Sequence, residues 1–230
     1  MRALLIVAAL PAHLMGIALG QSPPRDGGGI SADTRHYWMR KATEALYEVH
    51  HTPCPYNAFG SVIVNHTTSG PGDLVCIGAN DNASGNPVLH GEIAAINNCS
   101  AILTDPNGPY DLSALQIQKA WADLTLYTNA EPCPMCASAI RWAGFKEVVF
   151  GTSIKHLTER GWTQMSLTSE ELFSYTSSLR TKTMILGKVL SNETDAYFSW
   201  QFNVTADCPS GCERVNRDCR PIEDAARDEV

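Results

Sequence analysis

Residues 124–152 read LTLYTNAEPCPMCASAIRWAGFKEVVFGT, and the fold turns on this stretch. Leu124 to Thr128 is a short apolar run of strand character that leads directly into Pro132-Cys133-Pro134-Met135-Cys136. Pro134 suits the first turn of a helix, where its missing N–H costs nothing, and Met135, Ala137, Ala139, Ile140 and Trp142 continue helically up to Gly144. Val148 to Gly151 is a second buried strand. Cys133 and Cys136 therefore sit at a helix N-terminus, where backbone N–H groups and the positive end of the dipole favour thiolate over thiol. About forty residues upstream lies His90-Gly91-Glu92. Together the two segments supply three zinc ligands, His90, Cys133 and Cys136, and one carboxylate left over, Glu92. Two thiolates and a neutral imidazole balance the charge of Zn²⁺ and leave the fourth tetrahedral position for water. Zinc lowers the pKa of water there to about 7, so the pattern implies a hydrolytic centre in which Glu92 carries the protons.

Two other readings of the cysteine pair compete. A Cys-x-x-Cys in a secreted chain also serves as a disulfide or a redox pair, but neither explains His-x-Glu upstream. A closed structural zinc site needs a fourth protein ligand, and His156 or a cysteine of the C-terminal tail is the candidate to supply it through the fold.

Working outward, Trp38, Ala42, Ala45, Leu46 and Val49 recur at helical spacing from a capping Ser31 or Asp33, ending before Pro53. Phe59–Val64 and Leu74–Gly78 read as two strands joined by a polar Gly/Pro turn, which predicts a hairpin. His90–Ala101 reads as helix. After Val148–Gly151 come helical stretches near 155–160 and 168–175, a strand at Met184–Leu190 and a last helix around Glu193–Trp200. That order predicts a three-layer α/β/α sandwich around a central mixed sheet of about five strands, with both metal-binding segments opening helices at strand ends on one edge of the sheet.

The N-terminus and the cysteines point to export. Residues 1–20 carry Arg2, the apolar run Leu4–Leu10, and Ala18-Leu19-Gly20 before Gln21, the pattern of a signal peptide; Pro11 and His13 interrupt it as a membrane anchor. No later stretch reads as a bilayer span. Residues 21–30 are Pro/Gly-rich and are expected to be disordered. Asn65, Asn82, Asn98, Asn192 and Asn203 each open an Asn-x-Ser/Thr sequon, and Cys99 in the middle position of one disfavours use of Asn98. Setting Cys133 and Cys136 aside leaves Cys54, Cys76, Cys99, Cys208, Cys212 and Cys219, which allow fifteen connectivities. Cys208, Cys212 and Cys219 predict that the tail, residues 203–230, is stapled to itself or to the core, while Cys76 and Cys99 read equally well as buried apolar residues. The 230 residues, 44% apolar with no low-complexity segment, fit one globular domain. The formal net charge is −7, nearer −8 without Arg2, and no Lys/Arg cluster is present. A nucleic acid polymer is thus not an expected partner. Neither a Gly-x-Ser-x-Gly elbow nor a phosphate-binding Gly-rich Lys loop occurs.

Leu89-His90-Gly91-Glu92-Ile93 and the run Leu126–Ile140 resemble the cytidine deaminase-like superfamily, in its guanine, tRNA adenosine and cytosine deaminase branch. The likeness spans about residues 33–200, so 31–202 is the expected deaminase domain and the Cys-rich tail falls outside it. It implies zinc held by His90, Cys133 and Cys136, with Glu92 passing a proton from water to the ring nitrogen and then to the departing ammonia. It implies too that His90 lies in the non-helical start of its segment, because residues two apart on a helix do not face each other. Phe59–Val64 and Gly78-Ala79-Asn80 are similar to the same branch, in which the last asparagine contacts the base; Asn80 is the substrate-binding candidate, against an ordinary turn asparagine. The expected substrate is a small-molecule nucleobase or nucleoside, and no membrane partner is expected. The Glu-Pro-Cys-Pro-Met-Cys run with Ala139–Ala143 leans toward guanine, Leu89–Glu92 toward cytosine, and an aminated nucleoside antibiotic is a further option. The resemblance also implies a homodimer. The rival of another class is a non-catalytic secreted zinc glycoprotein acting as an interaction module.

Overall fold

The computed structural model describes residues 29–222. The segment read as a signal peptide, and most of the Pro/Gly-rich leader behind it, lie outside the described residues.

Helix α1 (Ala32–His50) starts at Ser31, whose hydroxyl accepts from the Thr34 N–H, and stops at His51 in the left-handed conformation. Strands β1 (Gly60–Asn65) and β2 (Asp73–Ala79) form the expected antiparallel hairpin. Then follow α2 (Gly91–Thr104), α3 (Ala114–Ala120), β3 (Leu124–Ala130), α4 (Pro134–Ala143), β4 (Glu147–Thr152), α5 (Ile154–Arg160), α6 (Ser169–Ser174), β5 (Met184–Leu186), α7 (Ser191–Thr194) and a tail hairpin, β6 (Cys212–Val215) with β7 (Asp218–Pro221). The main sheet has the order β2-β1-β3-β4-β5. β1 is antiparallel to both neighbours, while β3, β4 and β5 run parallel.

Because side chains alternate across a strand, each central strand feeds two cores. Val62, Val64, Tyr127 and Val149 face α1 through Trp38, Met39, Ala42 and Ala45. The intervening Ile63, Leu126 and Val148 face Ala95, Cys99 and Leu103 of α2 and Ile140 of α4. Helix, mixed sheet and helices make the three-layer α/β/α sandwich read from the sequence. α2 lies close on β2 because Gly78 has no side chain: a Cβ there would sit 2.2 Å from the Ala95 nitrogen. No helix of the described residues is long and apolar enough to cross a membrane.

Departures from the sequence reading have local causes. The strand expected over Met184–Leu190 ends at Leu186, since Gly187 abuts the Phe150 ring and Lys188 and Leu190 take positive φ (62° and 53°). The last helix is a single turn, Ser191–Thr194, followed by a 3₁₀ turn over Asp195–Phe198. Helix α3 was not anticipated, although Ser113 and Gln116 form a capping box at its start.

Six cysteines pair as Cys54–Cys212, Cys76–Cys99 and Cys208–Cys219. The tail is stapled both to itself and to the core. Cys76 and Cys99 are buried and also bonded, tying β2 to α2 across 23 positions. Closing a loop of that length restricts the unfolded chain by on the order of 3 kcal/mol. The Cys76→Ala/Cys99→Ala double variant is expected to lose about that much stability in denaturant titration, with the metal-ligand residues intact.

His66 sits beneath the α1 N-terminus with Nε2 2.9 Å from the Tyr127 hydroxyl. Burial, and then the Arg35 charge, lower it to about 4. The unfolded chain takes up this proton near pH 6.5, before the native state does, so the contribution of neutral His66 is complete above that pH and is lost as pH falls toward 4. Unfolding measured from pH 7 to 4 is expected to show a shallower loss of stability in His66→Gln than in the parent. Equal slopes would remove His66 as a cause.

Candidate active site

Two helix starts face each other at the end of the sheet. His90 is the N-cap of α2, with extended φ/ψ of −76° and 163°, and Cys133 is the N-cap of α4, with −61° and 164°. His90 thus stands outside its helix, which frees its ring to swing toward α4. Cys136 follows in the first turn of α4, fully buried. His90 Nδ1 is 3.5 Å from Cys133 Sγ and 3.7 Å from Cys136 Sγ, and the three donor atoms lie within 4.8 Å of one another.

These separations suit a tetrahedral ion. Zn–N bonds of about 2.0–2.1 Å and Zn–S bonds of about 2.3 Å at tetrahedral angles put N and S roughly 3.5 Å apart. The electrostatics agree. Cys133 is lowered to about 4, chiefly by its hydrogen bond with Cys136 and also by His90, while that same bond, with burial, raises Cys136. The Cys133 hydrogen bond raises His90. Two crowded sulfurs beside an imidazole, one of them readily ionised, are a donor set for a divalent cation, whose binding displaces the remaining proton. Cys133 and Cys136 are not bonded to each other, which removes the disulfide reading. Among the described residues the metal-binding group comprises these three donors. His156 instead faces Asp195 at 3.6 Å and accepts from Arg160, and the tail cysteines are paired, so none supplies a fourth ligand.

Glu92, in the first turn of α2 and 5% exposed, packs beside these donors. Burial, followed by the Cys133 charge, raises its carboxyl to about 7. Asn80, 7% exposed, follows β2; its N–H donates to the Phe59 carbonyl (2.9 Å) and its Oδ1 accepts from the Gly91 N–H (2.7 Å). Asn80 therefore caps α2 beside His90, with its amide oxygen committed and its NH₂ available to donate. The structure brings His90, Glu92, Cys133, Cys136 and Asn80 to one place.

Two polar residues at the end of β3 carry no assignment in the sequence reading. Asn129 is fully buried and ties the start of β1 to β3, donating to the Ala58 carbonyl (2.8 Å) and accepting from the Gly60 N–H (3.0 Å). Glu131 accepts from the N–H of Ile154 (2.8 Å) and of Ser169 (2.9 Å), the first residues of α5 and α6, and the Ser169 hydroxyl donates to the Pro132 carbonyl (2.8 Å). One carboxylate thus anchors two later helices to the loop that carries Cys133. The only signal for this in the sequence was the position of Glu131 inside the cysteine motif. Beyond the loop, Phe59, Trp162 and Phe198 make an aromatic cluster that also takes in Ala79 and Ala130, the neighbours of Asn80 and Glu131.

Residues 32–152 match the cytidine and deoxycytidylate deaminase zinc-binding region, and the chain belongs to this family of zinc-binding deaminase domains. It is 34% identical over 105 residues to guanine deaminase of Bacillus subtilis, a span of 45% of this chain and 56% of that protein. To cytosine deaminase of Candida albicans it is 33% identical over 90 residues, 36% of this chain and 51% of that protein. The chain spans about half the length of these curated relatives. Its fold is similar to guanine deaminase from Nitrosomonas europaea, with TM-score 0.50 and 18% identity over 71% of this chain and 81% of that one. A variant of NE0047 in complex with 8-azaguanine gives TM-score 0.51 and 19% identity over the same shares.

Proposed function

We propose that the chain is a secreted zinc-dependent aminohydrolase that removes the exocyclic amino group of a free nucleobase or nucleoside, of the guanine or purine type, and releases ammonia. The observation that carries the reading is a buried carboxyl, Glu92, held beside a His-Cys-Cys donor set with tetrahedral spacing.

In this reading His90, Cys133 and Cys136 hold the zinc, which supplies a Lewis acid able to bring the pKa of water from 15.7 to about 7. Glu92 takes a proton from the attacking water, gives it to the ring nitrogen beside the amino-bearing carbon, and passes the next to the departing amine. Its burial suits a group that alternates between acid and base near neutral pH. The Asn80 NH₂ donates to an acceptor on the base while Gly91 holds the amide in place. Phe59 and Trp162, both half-buried, offer flat surfaces that exclude water from the ring.

Similarity to a guanine deaminase, together with a net charge of −7, favours a neutral purine over a phosphorylated or polymeric substrate. A pyrimidine is the second reading, favoured by the likeness to the cytosine deaminase. Three disulfides support an oxidising, extracellular compartment, which would give residues 1–20 the role of a leader and leave 31–202 as the catalytic domain with a stapled tail. The deciding experiment measures ammonia release from guanine, adenine, cytosine, their nucleosides and aminated nucleoside antibiotics, with zinc content determined on the same sample. Release from guanine above the rest fits the proposal. A zinc-loaded protein inert toward every compound would overturn it in favour of a binding module.

A further inference from the structure

A cleft of about 570 Å³ opens between α1 and the chain that follows β5. Met39, Thr43 and Tyr47 line it from α1 and Leu190 and Tyr197 from the later chain, the Arg40–Glu193 ion pair (2.7 Å) joins the two sides, and Pro53 and Ser210 complete the lining. Those last two sit beside Cys54 and Cys212, so a disulfide fixes this part of the cleft. Its size falls within the roughly 300–1,000 Å³ of small-molecule sites, and among the described residues the metal-binding group lies elsewhere, at His90, Cys133 and Cys136. On its rim stands Asn192, exposed, the first residue of Asn192-Glu193-Thr194.

The five sequons are not equivalent. Asn98 is half-buried against β2, where its amide donates to the Ile77 carbonyl (2.9 Å), next to the fully buried Cys99. Asn82 and Asn65 are half-buried as well. Only Asn192 and Asn203 are exposed, and only Asn192 borders this cleft and its tyrosines.

We infer that Asn192 carries an N-linked glycan whose first sugars lie in this cleft, their C–H faces against Tyr47 and Tyr197. The inference rests on the export reading above and not on the reaction chemistry. In the linking step the Asn192 Nδ2 loses one proton and forms a bond to the anomeric carbon of a lipid-linked oligosaccharide. The bond from that carbon to the lipid pyrophosphate breaks, and the pyrophosphate leaves with the electron pair. Tyr47 is 48% exposed, and a sugar laid across it removes apolar surface from water while keeping its own hydroxyls at the rim. The attachment point sets the occupant: a group covalently fixed at the rim meets the cleft at a high effective concentration.

The test expresses the full chain through a eukaryotic secretory pathway, maps glycopeptides by mass spectrometry, and follows release by an endoglycosidase under native conditions. Asn192 and Asn203 are expected to be occupied and Asn98 empty. Release from Asn192 is expected to be slower than from Asn203 by about tenfold, the ratio that roughly 1.4 kcal/mol of packing gives. Tyr47→Ala should bring the two rates together. Asn192→Gln, rather than a change at Thr194, is the loss-of-site control, because the Thr194 hydroxyl is buried against Thr152 (2.9 Å). An unmodified Asn192, a chain that emerges without glycan, or equal release rates in the parent protein each overturn the inference. Ammonia release assayed on the same glycoprotein reports separately on the proposed reaction.

Discussion

Glu92→Gln is expected to bind zinc as the parent does and to release ammonia about 10²–10⁴-fold more slowly, the share that a positioned general acid–base supplies. The upper end is the better expectation, because in the proposed mechanism a single carboxyl serves all three proton transfers. The amide keeps the size of the side chain in a site only 5% exposed and removes the need to bury a charge, so the variant should fold with undiminished stability. The loss should fall on kcat with KM nearly unchanged, since the proton transfers contribute only in the transition state. Turnover retained at the parent level with zinc bound would take the proton-carrying role away from Glu92.

The second large effect concerns the metal. Cys136→Ser replaces a fully buried sulfur by a hydroxyl, a far poorer ligand, at a position 3.7 Å from His90 Nδ1. The variant is expected to lose zinc on dialysis against a chelator and to show no measurable ammonia release. The parent, stripped by the same chelator, should recover both when zinc is returned. Thermal unfolding provides an independent readout, because a ligand bound only by the native state stabilises it in proportion to the logarithm of its concentration. Added zinc should raise the parent melting temperature and leave that of Cys136→Ser unmoved. A serine variant that keeps a full equivalent of zinc and full activity would exclude Cys136 from the ligand set.

What the sequence revealed follows from how local each signal is. Pro134 behind Cys133 marks a helix start whatever surrounds it, and the N-cap geometry at Cys133 follows from that spacing. The apolar run ending in Val62, Ile63 and Val64 reads as a strand from its composition alone, whereas its burial on both faces, Ile63 toward α2 and Val62 and Val64 toward α1, is seen in the fold. By contrast, the end of β5 depends on the Phe150 ring crowding Gly187, an encounter between residues far apart in the chain. The tail pairing has the same character: three cysteines within twelve positions announced a staple, but only the fold decides that Cys212 reaches Cys54. Glu131 shows the limit in the site itself. Its carboxylate bonds N–H groups 23 and 38 positions later, so no spacing near the cysteine motif could assign its work. The orientation of the Asn80 amide, too, is decided by Gly91 across a loop.

The Cys54–Cys212 bond spans 158 positions and encloses every strand of the main sheet. During synthesis Cys54 precedes its mate by that whole distance, so this bond closes only after all five strands have been made. A chain cut short ahead of residue 212 cannot form the bond and keeps Cys54 without its partner sulfur. This crosslink therefore marks, in a single covalent bond, a chain in which every strand of the sheet is already present.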